Sequence, residues 1–302
     1  LVRALLAQPG IEWCPRKSVA RLQRSPATDS TATGIWQALD DHGHTIAEAE
    51  CVVLAAGPAC NALLAASSAP TLPLQSVRGQ LSWGRQDTGA AALPPFPVNG
   101  NGGLVAHVQR DAGLAWHMGS TFERDVDALP LTSAEVAAAH ATNWRRLQEL
   151  LPNAAPALQA AFASTSPSDS AAVRAWASVR CTATDRLPIV GPVDAQALPG
   201  LWVCTAMGAR GLTRAVLCGE LLAALVNAEP LPLDARLARA MGTARLEKEP
   251  GARGASRISP CYRAARGKGN PTCAAVRPWR GGCWPGSAGA KRAAASNPRN
   301  PR

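Results

Sequence analysis

The sequence predicts a mixed α/β protein in which a parallel-sheet domain is interrupted by an antiparallel one, and three observations carry that prediction. Cys51-Val52-Val53-Leu54-Ala55-Ala56-Gly57 and Leu201-Trp202-Val203-Cys204-Thr205-Ala206 are continuous apolar runs, the pattern of strands covered on both faces of a parallel sheet. Each run passes through a glycine-bearing turn into a helical segment, 60–66 after the first and 212–226 after the second. Between them, residues 71–125 alternate and carry hairpin chemistry, which builds an antiparallel sheet.

The elements follow in order. A short helix end at Leu1–Leu6 precedes two alternating strands, Ser18–Leu22 and Gly34–Leu39. Asp40-Asp41-His42-Gly43 is a turn before Thr45-Ile46-Ala47. In the middle region, Val77–Trp83, Gly103–Val108 and Leu114–Ser120 are strands, the last two joined by Gln109-Arg110-Asp111-Ala112-Gly113. Thr132-Ser133-Ala134-Glu135 is a capping box. The helix it opens is expected to bury Val136, His140, Trp144, Leu147 and Leu151 and to stop at Pro152. Strands return at Ala175–Arg180 and Leu187–Pro192, and Pro230-Leu231-Pro232-Leu233 is expected to close the ordered part. The boundaries expected are 1–72 and 176–246 for the two parts of the parallel-sheet domain, 73–175 for the antiparallel domain, and 247–302 for a basic tail.

Composition limits the function classes. Hydrophobic residues make up 47% of the 302, a globular proportion. No apolar run reaches the roughly 18–20 residues of a membrane span, and Leu1–Leu6 is too short for a signal peptide. The chain begins at Leu1 rather than Met, so a natural start upstream is expected, as is a cytoplasmic location. The net charge of +10 lies entirely in residues 247–302, leaving 1–246 neutral, so global charge does not argue for nucleic acid. That tail, rich in Arg, Gly, Ala and Pro without apolar periodicity, reads as disordered or as an out-of-frame stretch, with an RNA-binding arm as the alternative. The nine cysteines form no C-x-x-C pair and read as reduced core thiols, with no metal site expected. His107 and His117 read as satisfied sheet histidines.

Four segments carry chemistry. In Met207-Gly208-Ala209-Arg210-Gly211-Leu212, a strand turns into a helix, presenting free N–H groups and a positive helix end to an anionic or electron-rich ligand. Glycine there lets the backbone approach a flat cofactor or take positive φ; an ordinary tight turn is the alternative. Gly219 further on is expected to allow close helix–sheet packing. Gly57 after its strand marks a second place where a cofactor crosses strand ends, unless it merely ends the strand. Arg180 terminates an apolar strand, where it either captures a carboxylate in bidentate fashion or pairs with Asp185 to fix the next loop. Arg78-Gly79-Gln80 sets a charge, bare backbone and an amide in a row, for cofactor contact or for a surface strand with a bulge.

In this order, Val77-Arg78-Gly79-Gln80, Gly119-Ser120-Thr121-Phe122, Val179–Gly191 and Gly208–Leu212 resemble the D-amino-acid-oxidase/glycine-oxidase superfamily. Within it, Arg180-Cys181 with Thr184-Asp185, and Arg210-Gly211-Leu212 with Leu217–Ala223, are most similar to the C-terminal half of the bifunctional proteins that build 5-methylaminomethyl-2-thiouridine in tRNA. The resemblance spans residues 1–246. It implies a doubly wound FAD-binding domain (1–72 and 176–246) interleaved with a substrate domain (73–175). It also implies an oxidoreductase that removes the carboxymethyl group of 5-carboxymethylaminomethyl-uridine in tRNA. A hydride goes to flavin N5, so no side chain is catalytic. Arg180 and Arg210 would bind substrate, while Gly57, Arg78, Gly79, Gln80, Gly208, Ala209, Arg210, Gly211 and Leu212 would contact FAD. A methyltransferase half using S-adenosylmethionine is the implied partner. The family opens with a βαβ unit carrying G-x-G-x-x-G; Gly100-Asn101-Gly102-Gly103 does not match it, so an N-terminally truncated chain lacking that unit is expected. A glycine or D-amino-acid oxidase, and a non-catalytic truncated remnant, are the alternatives.

Overall fold

In the computed structural model of this chain, described over residues 2–25, 34–86, 93–111, 113–164 and 172–246, both expected sheet types form and one strand joins them. The tail, residues 247–302, lies outside the described residues, and with it the disordered, out-of-frame and RNA-arm expectations.

After α1 (Val2–Leu6), β1 (Arg21–Arg24), β2 (Trp36–Leu39) and β3 (Thr45–Ala49) form an antiparallel meander. Asp40 makes the expected turn, its carboxylate accepting from the N–H groups of His42 and His44 at 2.9 and 2.8 Å. Trp36 is buried and its indole N–H donates to the Pro199 carbonyl at 3.0 Å, tying the meander to the later half of the chain. Next comes β4 (Val52–Leu54), then a 3-10 turn at Gly57–Ala59, then α2 (Cys60–Ala66). β4 pairs in parallel with β12 (Leu201–Thr205), and β11 (Ile189–Pro192) pairs antiparallel on the far side of β12. Leu54, Cys60, Leu64, Ile189, Leu201 and Val203 close the core between these strands, α2 and the meander.

The second sheet is built on β5 (Leu74–Arg85), which runs five residues beyond the span expected from alternation. Its order is β10-β5-β8-β7-β6, with β6 at Val98–Gly100, β7 at Gly102–Arg110, β8 at Gly113–Gly119 and β10 at Arg174–Ala183; β9 (Glu123–Arg124) also pairs with β5. Helix α3 (Ser133–Leu150) covers one face. Its capping box forms as read: Thr132 Oγ1 accepts from the Glu135 N–H at 3.3 Å, and Glu135 accepts from the Thr132 N–H at 2.8 Å. Leu104, Trp116, Met118 and Leu147 pack beneath α3 together with Leu158, just before α4 (Gln159–Ala163). Each such fully buried side chain contributes about 1.5–3 kcal/mol relative to exposure.

Several expectations are corrected. β4 is not covered on both faces: it has three residues, pairs only with β12 among the described residues, and leaves Val53 40% exposed. The buried face of α3 is Ala139, Asn143 and Leu147. Val136, His140 and Trp144 instead line a groove of about 950 Å³ against α4, because a polar cluster, not an apolar stripe, meets β5. Order does not end at Leu233, since Asp234 caps a further helix, α6 (Ala235–Met241), through the N–H groups of Arg236 and Leu237.

Candidate functional site

The site begins where β10 leaves the antiparallel sheet. Over Val179–Ala183, β10 still pairs with Leu74–Arg78 of β5, while its side chains reach the glycine turns that follow β4 and β12. A Cβ on Gly57 would meet Cys181 Cβ at 3.7 Å, and one on Gly208 would meet Thr182 Cγ2 at 3.4 Å. Both glycines have positive φ, +60° and +64°, and so does Ala206 at 61°, a conformation that costs a side-chain-bearing residue free energy. Thr205 fastens the crossing, its hydroxyl donating to the Gly57 carbonyl at 3.4 Å and to Cys181 Sγ at 3.8 Å. Burial pushes the thiols of Cys60 and Cys181 up and that of Cys204 to about 11, so these cysteines stay protonated and inert.

After β12 the chain makes a 3-10 turn, Gly208–Arg210, and enters α5 (Gly211–Val226) with no side-chain cap. An uncapped helix start leaves its first N–H groups to water or to a ligand. The turn faces outward: Ala209 and Arg210 are exposed and Leu212 is 73% exposed. Its outer residues are thus open while Gly208 lies against Thr182 of β10. A Cβ on Gly219 would meet nothing within 4 Å, so close helix–sheet packing does not explain that glycine.

Arg180 lies on the face of β10 shared with Thr182, and the alternative pairing with Asp185 is not made. Asp185 instead binds Arg245, Nε to Oδ2 at 2.7 Å and Nη2 to Oδ1 at 3.3 Å, and that pair fixes the loop. Arg180 Nη2 donates to Ser120 Oγ at 2.8 Å and the guanidinium sits 4.6 Å over the Phe122 ring. The Ser120 carbonyl is held in turn by Arg146 Nη1 of α3 at 2.6 Å. Arg180 Nη1 is buried and has no partner. Burial pushes the guanidinium below its ordinary value, yet arginine stays charged. A half-buried cation with a buried, free donor and no carboxylate on it has the chemistry to receive an anion.

Strand alternation divides the Arg78-Gly79-Gln80 motif. Gly79 lies on the Arg180 side, where a Cβ would meet Thr121 O at 2.6 Å and Arg180 Nη2 at 2.9 Å; its bareness makes room for the guanidinium. Arg78 and Gln80 point the other way, toward α3. Arg78 is buried and donates to Glu123 at 2.5 Å, to Glu135 at 2.6 Å and to the Ala128 carbonyl at 2.9 Å, leaving its side chain engaged by protein. Gln80 is fully buried, with Nε2 donating to the Val136 carbonyl at 3.2 Å. Three residues of the arrangement are not among those expected at the site: Ser120, which orients Arg180, and Glu123 and Glu135, which take up Arg78. Glu135 is visible in the sequence only as a capping-box residue, and a carboxylate's second role cannot be seen from that spacing.

His107 is satisfied, with Nδ1 2.7 Å from Gln86 Nε2, whereas His117 Nδ1 is buried without a partner and its ring stacks on Trp83. Among the described residues no group of three or more His, Cys, Asp or Glu is placed to hold a metal, and no helix is long and apolar enough to cross a membrane.

The residues present fit the ring end of a flavin. Two positive-φ glycines lie against the end of one strand, Gly57 at Cys181 and Gly208 at Thr182, an uncapped helix start opens outward, and a half-buried guanidinium with a buried free donor stands on the Thr182 face of the same strand. Comparison with known proteins gives the family. A family model described as FAD dependent oxidoreductase matches residues 2–225. The chain is 54% identical over 255 residues to the tRNA 5-methylaminomethyl-2-thiouridine biosynthesis bifunctional protein MnmC of Verminephrobacter eiseniae, covering 82% of this chain and 40% of that protein. It is 53% identical over 254 residues to the protein of the same name from Delftia acidovorans, covering 82% and 38%. The chain thus spans about two fifths of the length of these curated relatives. Among solved structures, glycine oxidase from Geobacillus kaustophilus superposes with a TM-score of 0.53 at 20% identity, covering 73% of this chain and 50% of that one, a likeness of fold.

Proposed function

The chain belongs to the FAD dependent oxidoreductase family, and from that premise we propose that it is the oxidase portion of a tRNA wobble-uridine-modifying enzyme. Its reaction is the oxidative removal of the carboxymethyl group of 5-carboxymethylaminomethyl-(2-thio)uridine, leaving the aminomethyl form. The observation that carries this reading is the unpartnered, buried Nη1 of Arg180 on the strand that crosses both glycine turns. The group to be removed ends in a carboxylate, and the C–H to be broken lies between that carboxylate and the amine. Bound FAD would supply the hydride acceptor, and water then hydrolyses the substrate's imine, releasing glyoxylate and the primary amine.

The protein's part is binding and orientation. Arg180 holds the carboxylate, with Ser120 fixing the guanidinium and Gly79 giving it room. Gly57 and the backbone of Gly208, Ala209, Arg210, Gly211 and Leu212 hold the cofactor through N–H groups, and the Arg210 side chain, exposed beside them, is the second substrate contact. The names of the relatives, tRNA biosynthesis proteins described as bifunctional, support tRNA as substrate. The word bifunctional in those names supports a second activity; that it is a methyltransferase using S-adenosylmethionine on the freed amine, in the cytoplasm, is part of the same proposal.

Anaerobic mixing of the FAD-loaded protein with the modified nucleoside, and separately with glycine and D-alanine, tests the reading. Flavin bleaching by the nucleoside and not by the free amino acids is expected. Arg180→Ala should raise the nucleoside concentration needed by about 10- to 100-fold, the loss of one charge-assisted bond of roughly 1.5–3 kcal/mol. Bleaching by glycine alone, or an Arg180→Ala titration that overlays the wild type, rejects it.

A further inference from the structure

The face of the six-stranded sheet turned away from α3 is lined with arginine and aromatic side chains. We propose that it is the docking surface for single-stranded RNA on either side of the target uridine; this rests on the tRNA reading above and supplies the surface it needs.

The register puts the relevant groups on one face. Trp83 of β5 pairs with Arg174 of β10 on one side and with His117 of β8 on the other, so all three side chains point the same way. The Arg110 guanidinium sits 4.1 Å above the Trp83 ring and that of Arg174 lies 5.3 Å from it, while His117 stacks on the same ring at 6.2 Å and 15°. Two residues along β10 from Arg174, Trp176 is 57% exposed; four further, Arg180 covers Phe122, itself 55% exposed. Arg85 shares the face through its pairing with Ala115. The paired strand positions of this face hold Arg85, Arg110, Arg174 and Arg180 and, among the described residues, no carboxylate.

Residues 1–246 are neutral as a whole, so this is a local concentration of positive charge rather than a share of a general excess. A tryptophan more than half exposed on a sheet face closes no core. Arginine planes and aromatic rings side by side are the chemistry of single-stranded nucleic acid sites, where bases stack on rings and guanidinium groups meet phosphates. An acidic protein would satisfy the arginines but leave Trp176 and Phe122 against charge. The face also carries Arg180, so a strand lying across it brings one nucleotide to the proposed carboxylate site.

The test is fluorescence anisotropy of the full chain with a labelled anticodon-type RNA hairpin across a salt series, melting curves confirming that each variant is folded. Trp176→Ala should weaken binding about tenfold, and Trp176→Phe should keep most of it. The double variant Arg110→Ala/Arg174→Ala should lower the slope of log affinity against log salt by about 0.7 for each phosphate no longer neutralised. Arg145→Ala, on the exposed side of α3, should bind as the wild type does. Hairpin binding unaltered in all the variants, as when residues 247–302 alone capture RNA, overturns the proposal, and so does an acidic peptide that competes while a single-stranded RNA does not. The two readings fail separately. Wild-type protein that binds RNA through this face but is not bleached by the modified nucleoside defeats the chemistry alone; bleaching without loss of RNA binding in the variants defeats the surface alone.

Discussion

The two faces of the six-stranded sheet are made by alternate residues of the same strands, yet their polar groups have opposite fates. Toward α3, the Arg78 guanidinium meets two carboxylates and a carbonyl, Ser82 Oγ lies 2.7 Å from His140 Nδ1, and Asn143 Nδ2 donates to the Gln80 carbonyl at 3.1 Å and to Ser82 Oγ at 3.0 Å. What is left over there is a pair of neutral amide oxygens, Gln80 Oε1 and Asn143 Oδ1. On the open face, among the described residues, the leftovers are His117 Nδ1 and a cation's donor, Arg180 Nη1, whose guanidinium lies over the exposed Phe122 ring. One face uses charge to hold a helix, and the other leaves a guanidinium donor unpartnered among the described residues. A run such as Arg78-Gly79-Gln80 is therefore not one site: its outer members stabilise, and its glycine serves the other face.

The largest effect expected from breaking this contrast is at Arg78. Removing a guanidinium from between Glu123 and Glu135 leaves two carboxylates facing each other under α3. A fully buried pair broken on one side costs roughly 3–5 kcal/mol; with the carboxylates 35% and 41% exposed, Arg78→Met should cost about 2–3 kcal/mol. Urea denaturation measures it, and a loss under 1 kcal/mol, within the range of exposed pairs, would place Arg78 among the surface charges instead. Next in size is Gly79→Ala. Its Cβ would lie 2.6 Å from a backbone oxygen, which cannot swing away, and 2.9 Å from Arg180 Nη2. A cost of about 1–3 kcal/mol is expected, together with weakened carboxylate binding as the guanidinium is displaced. Stability lost with substrate binding intact would separate Gly79 from Arg180.

How far all this can be read from the residues depends on the range of the interaction. The capping box at Thr132 and Glu135, the Asp40 turn, α2 and the β7–β8 hairpin are local, and periodicity with turn chemistry locates them within a few residues. The two glycine turns are also readable, since strand, glycine and helix follow one another in the chain. The choice between a paired and a free Arg180 is not, because Arg245 lies 60 residues from the Asp185 it occupies. Nor is the Ser120 contact, also at a separation of 60 residues. Covered faces are misjudged where an apolar run does not bring its own partner. β4 looks buried by composition and is half open in fact, and α3 buries Asn143 because a polar cluster on β5 receives it. The cation-lined face is invisible in the sequence because its arginines are scattered from 85 to 180 and only strand register gathers them.

The smallest effect expected is a response to acid confined to the helix face. Glu135 is held down to about 2 from its ordinary 4.5, first by the hydrogen bond from Arg78 and then by the Thr132 N–H and hydroxyl. A carboxylate whose folded value is depressed stabilises the fold fully above its unfolded value, and that stabilisation is lost as pH falls through the interval between the two, here from about 4.5 to about 2. Because the carboxylate reaches solvent, screening keeps the contribution modest. Glu135→Gln removes the titration but keeps a capping side chain, so the variant should be slightly less stable than the wild type at neutral pH. The difference should shrink as both are acidified and vanish near pH 2. Thermal melts of the pair across that range measure it. Curves that stay parallel down to pH 2 would mean that Glu135 contributes through its shape in the capping box, and that the ion pair with Arg78 adds nothing to the face it was taken to hold.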